Sequence, residues 1–504
     1  MFPHRTTEPG ALEGGFGGRT RGRAHLQAAR AFAPALLLSV LTSASATDRV
    51  AGERRTFESP NGITETCVTL ARIPGGVYSD GDRTQEAALC GIDIYDPRVA
   101  ICPKLRSTSP GTFVYEVTRG PFAGDQKGFE AHVCPRGEVV VSEADGPPAS
   151  FKVTMNAKGT SGTFSTASLL YYHFSRYLDS SIHVPVSVYR SIDRRAHERR
   201  VTTRGLALSA GKKPLRMNHA AWQELDAVEK DPDGYPEPDE LFTADRSRIY
   251  GVLLHVKGKR YGAEMNGTRK SGWGVGQNRD FQETAPYLAL RSGKPLQEAI
   301  AEGLTRAGRD PALKKAMRGG VSEEQMAYWM QDLTEITLLD YIFSQQDRVG
   351  NIDRVAYWHW TERGELKRAE ARSETPPEEI AEHEPRLIQR TWLNDNDAGG
   401  KRKYANFAKK TGMLEKIRHY NPNTYRRLMA LVADFEAQGE LYAYLRDTFG
   451  LTDAQLRQAV ANTRKAADIL RGTCRAGKLR FDLAPDEFFV TGKAAEYDID
   501  CENP

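Results

Sequence analysis

The sequence of 504 residues has no internal repeat and, after residue 46, no run of about 20 apolar residues of the kind that a membrane-spanning helix requires. It also has little net charge, since 70 Lys and Arg residues face 66 Asp and Glu residues. Without the first 46 residues, which hold five Arg and two Glu, these counts become 65 and 64. Domains that bind nucleic acid are usually basic, so we expect no nucleic-acid partner.

The first 46 residues have the order of a secretory signal peptide. Four arginines between positions 19 and 30 precede the apolar run Ala31–Leu41, and small residues lead to Ala44-Ser45-Ala46, an A-x-A cleavage site. The alternative is an amphipathic first helix of a cytosolic protein. We favour an exported protein whose mature chain begins near Thr47 and has no transmembrane segment.

The six cysteines lack the C-x-x-C spacing of a zinc ribbon, and none has a His at the spacing of a zinc ligand. All of them follow the predicted cleavage site, and an even number in an exported chain predicts disulfides. We expect two bridges among the four cysteines before residue 135 and one between the two near the C terminus: Cys67, Cys90, Cys102, Cys134, Cys474 and Cys501.

Composition divides the chain after the signal peptide into three regions. Residues 47–145 predict a Cys-containing, β-rich N-terminal extension, with strands at Thr112–Val117 and Glu138–Ser142. Residues 146–285 predict a β-rich lobe with a polar surface insertion at 193–246, and residues 286–504 predict a helical lobe. Two such lobes would enclose a crevice, where ligand sites commonly form.

In the β-rich lobe, the strand Phe151–Met155 leads through a Gly-rich turn into a helix at Thr166–Leu178. Further on, Ile249–Val256 and Arg260–Met265 flank the turn Lys257-Gly258-Lys259, which predicts a β-hairpin.

In the helical lobe we expect helices at Leu296–Ala307 and Glu323–Ser344. Two long helices follow between Asn423 and Leu470, interrupted by Gly450.

Two polar loops carry residues suited to phosphoryl transfer. One helix ends in Asp347-Arg348-Val349-Gly350-Asn351, and Asp395-Asn396-Asp397-Ala398-Gly399 follows a strand-like Ala356–Trp360. Phosphoryl transfer needs a carboxylate that orients the nucleophile, with an Asn and an Asp that hold the metal ions. Each loop alone has an ordinary explanation, an ion pair at a helix end or an Asx turn, but their combination favours a phosphotransfer site.

These motifs resemble those of the atypical secretory-pathway kinases, namely the four-jointed, Golgi-associated and Golgi casein kinases, and more distantly HipA and the phosphoinositide kinases. The likeness spans residues 146–475. It implies an α+β, two-lobed, protein-kinase-like fold with a β-rich N-lobe and a helical C-lobe, and ATP with Mg²⁺ or Mn²⁺ as cofactors. It further implies Asp347 as the catalytic aspartate, Asp395 as a metal ligand and Asn351 as a second metal ligand. Asn351 follows Asp347 by four positions, whereas protein and phosphoinositide kinases usually have five.

The resemblance also implies a lysine that contacts the ATP phosphates, and two lysines compete for this role. Lys152 lies on a strand before a helix, whereas Lys158 stands beside Gly159 and Gly162. Backbone N–H groups of this turn would favour phosphate, although the turn lacks the Gly-Lys-Ser/Thr ending of a P-loop.

The family's helix glutamate, which pairs with this lysine, is missing, since Ser165–Ser168 occupies the expected stretch. Glu264, near the end of the predicted hairpin, is the candidate for the missing carboxylate.

The sequence therefore favours an exported kinase that phosphorylates a hydroxyl of a protein or glycan. Two alternatives stay open. One is a kinase-fold pseudoenzyme that binds nucleotide or a partner protein without turnover, and the other is an unrelated exported β-plus-α binding protein. The sequence identifies neither the phosphate acceptor nor the oligomeric state.

Overall fold

The computed structural model describes residues 49–504, so the predicted signal peptide and the start near Thr47 lie outside the described residues. Eleven strands lie in this part of the chain: β1 (Gly52–Glu58), β2 (Thr64–Leu70), β3 (Val99–Pro103), β4 (Gly111–Glu116), β5 (Ala149–Val153), β6 (Ser187–Asp193), β7 (Arg248–His255), β8 (Lys259–Arg260), β9 (Asp353–Glu362), β10 (Glu365–Glu370) and β11 (Arg386–Trp392).

The α-helices of the same residues are α1 (Asp80–Gly91), α2 (Gln126–Val133), α3 (Thr166–Tyr177), α4 (Arg194–His197), α5 (Thr203–Ser209), α6 (Arg216–Lys230), α7 (Ala263–Asn266), α8 (Val275–Phe281), α9 (Ala285–Leu290), α10 (Leu296–Ala307), α11 (Pro311–Ala316), α12 (Glu323–Phe343), α13 (Glu378–Ala381), α14 (Phe407–Lys410), α15 (Pro422–Ala437), α16 (Glu440–Thr448), α17 (Asp453–Arg475) and α18 (Pro485–Thr491). A π-helical turn, Glu198–Thr202, joins α4 to α5.

Seven strands form one antiparallel sheet in the order β1-β2-β6-β7-β5-β4-β3. The N-terminal segment supplies β1 to β4, which lie on the two outer sides, and β5 to β7 fill the centre. Every residue of β5 and β6 is buried, because neighbouring strands and the helices α1, α3 and α4 cover them. The strand that carries Lys152 is thus rigidly placed inside the sheet.

The predicted β-hairpin between Ile249 and Met265 is wrong. β7 pairs with β5 and β6 in the large sheet, whereas β8 pairs with β9 in a second sheet of order β10-β9-β11. Lys257-Gly258 therefore connects two sheets, and residues Ala263–Asn266 are helical. Gly258 has a φ of 97°, and an added Cβ would lie 2.9 Å from the carbonyl oxygen of Arg354, so this crossing requires glycine.

Two further expectations differ from the structure. Glu138–Ser142, predicted as a strand, is irregular. The polar stretch 193–246 is not only a surface insertion, since α6 has a buried side on which Trp222 is fully enclosed against Gly205. Its apolar residues recur at helical spacing among charged ones, so the polar composition hides an amphipathic helix.

The long helix α12 forms the centre of the second half. Its residues from Gln325 to Phe343 are all buried, among them the charged side chains of Asp332, Glu335 and Asp340. The Ser322 hydroxyl accepts a hydrogen bond from the Gln325 backbone at its start. At its end Ser344 adopts a left-handed conformation with φ 54°, which turns the chain into the loop that carries Asp347.

Three disulfides have the predicted grouping: Cys67–Cys90, Cys102–Cys134 and Cys474–Cys501. The first two tie β2 to α1 and β3 to the end of α2, and the third ties α17 to the C-terminal segment. The α+β class is confirmed, with a β-rich first half, a helical second half and a disulfide-held N-terminal segment. The domain boundaries stay predictions. Among residues 49–504, no helix has the length and apolar character needed to cross a bilayer.

Candidate active site

A cleft of about 350 Å³ collects side chains from both halves of the protein. The β3–β4 loop, β5, the turn before α3, β8, the loop after α12 and the segment after β11 all contribute to its lining. Of the eight residues that the sequence singled out, five line this cleft: Lys152, Gly162, Asp347, Asn351 and Asp395.

A buried arginine fastens the two polar loops to each other. The guanidinium of Arg348 donates to the Asp340 carboxylate of α12, at 3.0 Å from Nε to Oδ2 and 2.9 Å from Nη2 to Oδ1. It also donates to the backbone oxygen of Asp395 at 3.2 Å and to Asn396 Oδ1 at 2.9 Å. Arg348 therefore pairs with Asp340 and not with Asp347, the pair that was the ordinary explanation of this motif, and it holds the segment of Asp395 against the end of α12.

Glutamine side chains add to this connection. Gln345 donates to the backbone oxygen of Asp395 at 3.2 Å and accepts a hydrogen bond from the Asp347 backbone at 3.0 Å. Gln346 donates to the backbone oxygen of Ser161 in the Gly-rich turn. Hydrogen bonds thus hold the loop of Asp347 both to the segment of Asp395 and to the Gly-rich turn.

Asp347 is half-buried in the cleft. Trp273, whose indole is 59% exposed, places its Nε1–H 3.3 Å from Asp347 Oδ1. Burial raises the pKa of Asp347, hydrogen bonds from Ser161 and Trp273 oppose this, and the charge of Asp395 adds to the rise. A carboxylate with a raised pKa that faces a cleft is suited to accept a proton from a hydroxyl.

Lys152 binds two aspartates of the segment after β11. Its Nζ lies 3.0 Å from Asp395 Oδ1 and 3.2 Å from Asp397 Oδ1, and its side chain is 8% exposed. Burial would lower the pKa of Lys152, but the charges of Asp397 and Asp395 outweigh it and hold this pKa above the ordinary lysine value. Burial would likewise raise the pKa of Asp395, but Lys152, Lys104 and Arg260 lower it below the ordinary value.

Asn351 lies next to the same group. Its Nδ2 donates to the backbone oxygen of Asp347 at 2.6 Å, and its Oδ1 accepts a hydrogen bond from Arg260 Nη1 at 2.7 Å. The amide oxygen therefore faces the cleft beside Asp395, which Arg260 also contacts.

Three predicted site residues lie outside the cleft. Glu264 is buried, and its Oε1 accepts a hydrogen bond from the Gly262 backbone at 2.8 Å in its own turn. It is therefore not the carboxylate partner of Lys152, a place taken by Asp395 and Asp397. Lys158 and Gly159 are exposed, and the Lys158 backbone donates to Glu224 Oε2 at 3.0 Å.

The sequence did not point to several residues that line the cleft. The β3–β4 loop brings in Lys104 and Arg106 with a run of hydroxyl residues, and the Lys104 ammonium lies 5.3 Å from the centre of the Phe113 ring. Burial and the charge of Lys152 lower the pKa of Lys104 to about 8. The available signal was a basic, hydroxyl-rich turn between two strand-like segments that precede Lys152.

The oxygens of the cleft fit a metal ion that arrives with a nucleotide. Magnesium is commonly bound by one or two protein carboxylates together with substrate phosphates. Asp395 and Asp397 supply carboxylates and Asn351 supplies an amide oxygen. Within residues 49–504 no group of three or more His, Cys, Asp or Glu side chains is placed to hold a metal by itself.

Comparison with known proteins gives distant structural matches. No protein-family model matches the chain, and no curated protein matches it. The chain is similar to a crystal structure of the Golgi casein kinase with Mn/ADP bound, with 11% identity and a TM-score of 0.39 over 78% of this chain and 77% of that chain. A second structure of the Golgi casein kinase has the same identity and TM-score over 86% of each chain. Likeness at this level does not identify a family.

Proposed function

We propose that the protein is an exported kinase-fold phosphotransferase that moves the γ-phosphate of Mg-ATP or Mn-ATP to a hydroxyl of a protein or glycan. The observation that carries this proposal is the meeting of Lys152, Asp347 and Asp395 in one cleft. They come from three distant chain segments and supply the lysine, the hydroxyl-orienting carboxylate and the metal-binding carboxylate that phosphoryl transfer requires.

The cationic side of the cleft suits the phosphates. In protein kinases a loop covers the ATP phosphates and a strand lysine contacts them. Here the loop between β3 and β4 brings Lys104 and Arg106 to the cleft, and Lys152 enters it from β5. The β3–β4 loop is therefore better placed to cover the phosphates than Gly159, which is exposed.

The acidic side of the cleft suits the metal and the acceptor. Asp395 and Asn351 would hold the metal ion, which neutralises phosphate charge when bound. Asp347 would orient the acceptor hydroxyl and take its proton while the hydroxyl oxygen bonds to the γ-phosphorus and the bond to ADP breaks. The hydrogen bond from Trp273 to Asp347 helps to hold the carboxylate in place for this step.

A kinase-fold pseudoenzyme that binds nucleotide or a partner protein is the second candidate. No residue of α3 is acidic, so Lys152 has no helix glutamate to hold it. It is held instead by Asp395, the same carboxylate that would bind the metal.

Export is supported by the order of the first 46 residues and by the three disulfides. Disulfides persist in oxidising compartments and are rare in the cytosol, so a fully paired set of six cysteines is consistent with a secretory or extracellular location.

Nucleotide binding can be tested by thermal unfolding with and without Mn²⁺. A ligand at about 100 times its Kd stabilises the native state by about 2.7 kcal/mol, so ATP should raise the Tm only when the metal is present. Asp395→Asn should lose this increment. Asp498→Asn is the matched control, because Asp498 is exposed in the C-terminal segment, and it should keep the increment. An increment that survives in Asp395→Asn, or is missing in the wild type, would refute the proposal.

A further inference from the structure

One guanidinium engages both candidate metal ligands. Arg260 Nη2 lies 3.2 Å from Asp395 Oδ2, and its Nη1 donates to Asn351 Oδ1 at 2.7 Å and to the backbone oxygen of Gly350. Its Nε lies 2.8 Å from Asp353 Oδ1. The fork of donors thus contacts four oxygens, and two of them, on Asp395 and Asn351, belong to residues that line the cleft.

Each carboxylate oxygen of Asp395 already contacts a cation, since Lys152 binds Oδ1 and Arg260 binds Oδ2. A divalent ion that coordinates Asp395 and Asn351 together would lie directly against the Arg260 guanidinium, which contacts both residues. The repulsion between the two positive charges therefore opposes metal binding while that cation stays in place.

Of the two cations, Arg260 is the one that can leave at lower cost. The Lys152 side chain is 8% exposed and fixed on a central strand, whereas the Arg260 side chain is 44% exposed. Because the Arg260 guanidinium reaches solvent and the Lys152 ammonium does not, displacing Arg260 costs less than displacing Lys152. The main cost of displacing Arg260 is the loss of its pair with Asp353, whose side chain is 9% exposed. Arg260 also lies two residues after Gly258, where the chain crosses between the two sheets.

We infer that Arg260 is a resident cation that closes the metal-binding oxygens of Asp395 and Asn351, and that a divalent metal ion enters by displacing its guanidinium. This inference rests on the proposed function only for the choice of metal ligands. The protein without nucleotide should therefore bind metal weakly, because the Arg260 side chain competes with the metal for Asp395 and Asn351.

Binding of Mn²⁺ alone to the full mature protein, followed by electron paramagnetic resonance of the free ion, tests the inference. Metal entry must break the contact between the Arg260 guanidinium and the Asp395 carboxylate. The attraction between two such unit charges about 4 Å apart in water is strong enough to change the equilibrium constant for metal binding about fivefold. Arg260→Gln should therefore bind Mn²⁺ about fivefold more tightly than the wild type. Lys259→Gln removes the same charge from the adjacent exposed residue and should leave the affinity unchanged. Equal or weaker binding by Arg260→Gln, or equal tightening in Lys259→Gln, overturns the inference.

A measurement on the wild-type protein keeps the inference testable if the variant does not fold. Phenylglyoxal labelling of Arg260, read by mass spectrometry, should increase when Mn²⁺ is added, because the displaced guanidinium becomes accessible. Unchanged labelling at saturating Mn²⁺ overturns the inference. Tighter Mn²⁺ binding by Arg260→Gln in a protein that shows no metal-dependent binding of ATP would refute the proposed function alone.

Discussion

Replacing Lys152 with methionine removes the cation that a buried carboxylate, Asp397, and a partly buried one, Asp395, share. The Lys152 ammonium lies 3.0 Å from Asp395 and 3.2 Å from Asp397, and the Asp397 side chain is only 9% exposed. Removing one partner of a buried ion pair costs about 3–5 kcal/mol. The side chain of Asp395 is 33% exposed, so water screens part of the effect and we expect a loss of about 3 kcal/mol in the free energy of unfolding.

The cost should depend on pH. In the wild type the pKa of Asp395 is lowered, since Lys152 and the other cations outweigh the effect of burial. A carboxyl group with a lowered folded-state pKa contributes stability above its unfolded pKa and loses it as the pH falls. Without Lys152 the largest influence that lowers the pKa of Asp395 is lost while burial still raises it, so this pKa should lie closer to its unfolded value in the variant. The wild type loses this contribution as the pH falls below about 4 and the variant has less to lose, so the difference between the two proteins should shrink there.

Urea unfolding followed by tryptophan fluorescence measures this difference. Lys158→Met is the matched control, because Lys158 is exposed and lies outside the cleft. Surface substitutions of this kind change stability by about 0.5 kcal/mol or less. A loss in Lys152→Met no larger than in the control, or one that does not change with pH, would refute the reasoning.

Three further predictions concern the Trp273–Asp347 hydrogen bond, the Cys102–Cys134 disulfide and Glu264. Trp273→Phe removes the N–H that lies 3.3 Å from Asp347, so the pKa of Asp347 should rise further and the acid limb of the pH profile for phosphate transfer should move to higher pH; an unmoved limb contradicts this. Serine at both positions of the Cys102–Cys134 disulfide should lower the free energy of unfolding by about 3–4 kcal/mol in urea, and a loss below about 1 kcal/mol argues against the chain-entropy estimate. Glu264→Gln should keep the metal-dependent ATP increment in Tm, because its carboxylate bonds its own turn; a lost increment would return Glu264 to the site.

Helices that contain many apolar residues and few turn-forming ones were predictable from the sequence. The prediction Leu296–Ala307 coincides with α10, and Glu323–Ser344 exceeds α12 by one residue. Gly450 does separate α16 from α17, but the break before α16 was missed. There Gln438 adopts a left-handed conformation with φ 52°, and the Asp434 carboxylate accepts a hydrogen bond from the Tyr442 backbone.

Strand pairing was less predictable because it depends on distant segments. The Lys257-Gly258-Lys259 turn has the local form of a hairpin, yet its two flanking strands belong to different sheets. Nothing within a few residues of Gly258 shows that β5 and β6 already occupy both sides of β7.

In the candidate site, too, short local motifs could be predicted, whereas contacts between distant segments could not. Asp347, Asn351 and Asp395 were found because each lies in a short polar motif with a chemical interpretation. Arg260 was missed, since its contacts with Asn351 and Asp395 span 91 and 135 positions of the chain. The error over Glu264 has the same origin, because its expected contact with Lys152 depended on a hairpin that does not form.

Transfer of labelled phosphate by wild-type protein and by Asp347→Asn tests the central claim most directly. Purified mature protein is incubated with labelled ATP, Mn²⁺ and a mixture of secreted proteins and glycans, and nucleotide affinity is measured in parallel. Asp347 should act on the acceptor hydroxyl in the transition state, so Asp347→Asn should bind ATP as the wild type does and lose about 10² to 10⁴-fold in transfer. Wild-type protein that binds ATP but labels no acceptor, and is indistinguishable from Asp347→Asn, would contradict the claim and favour the pseudoenzyme.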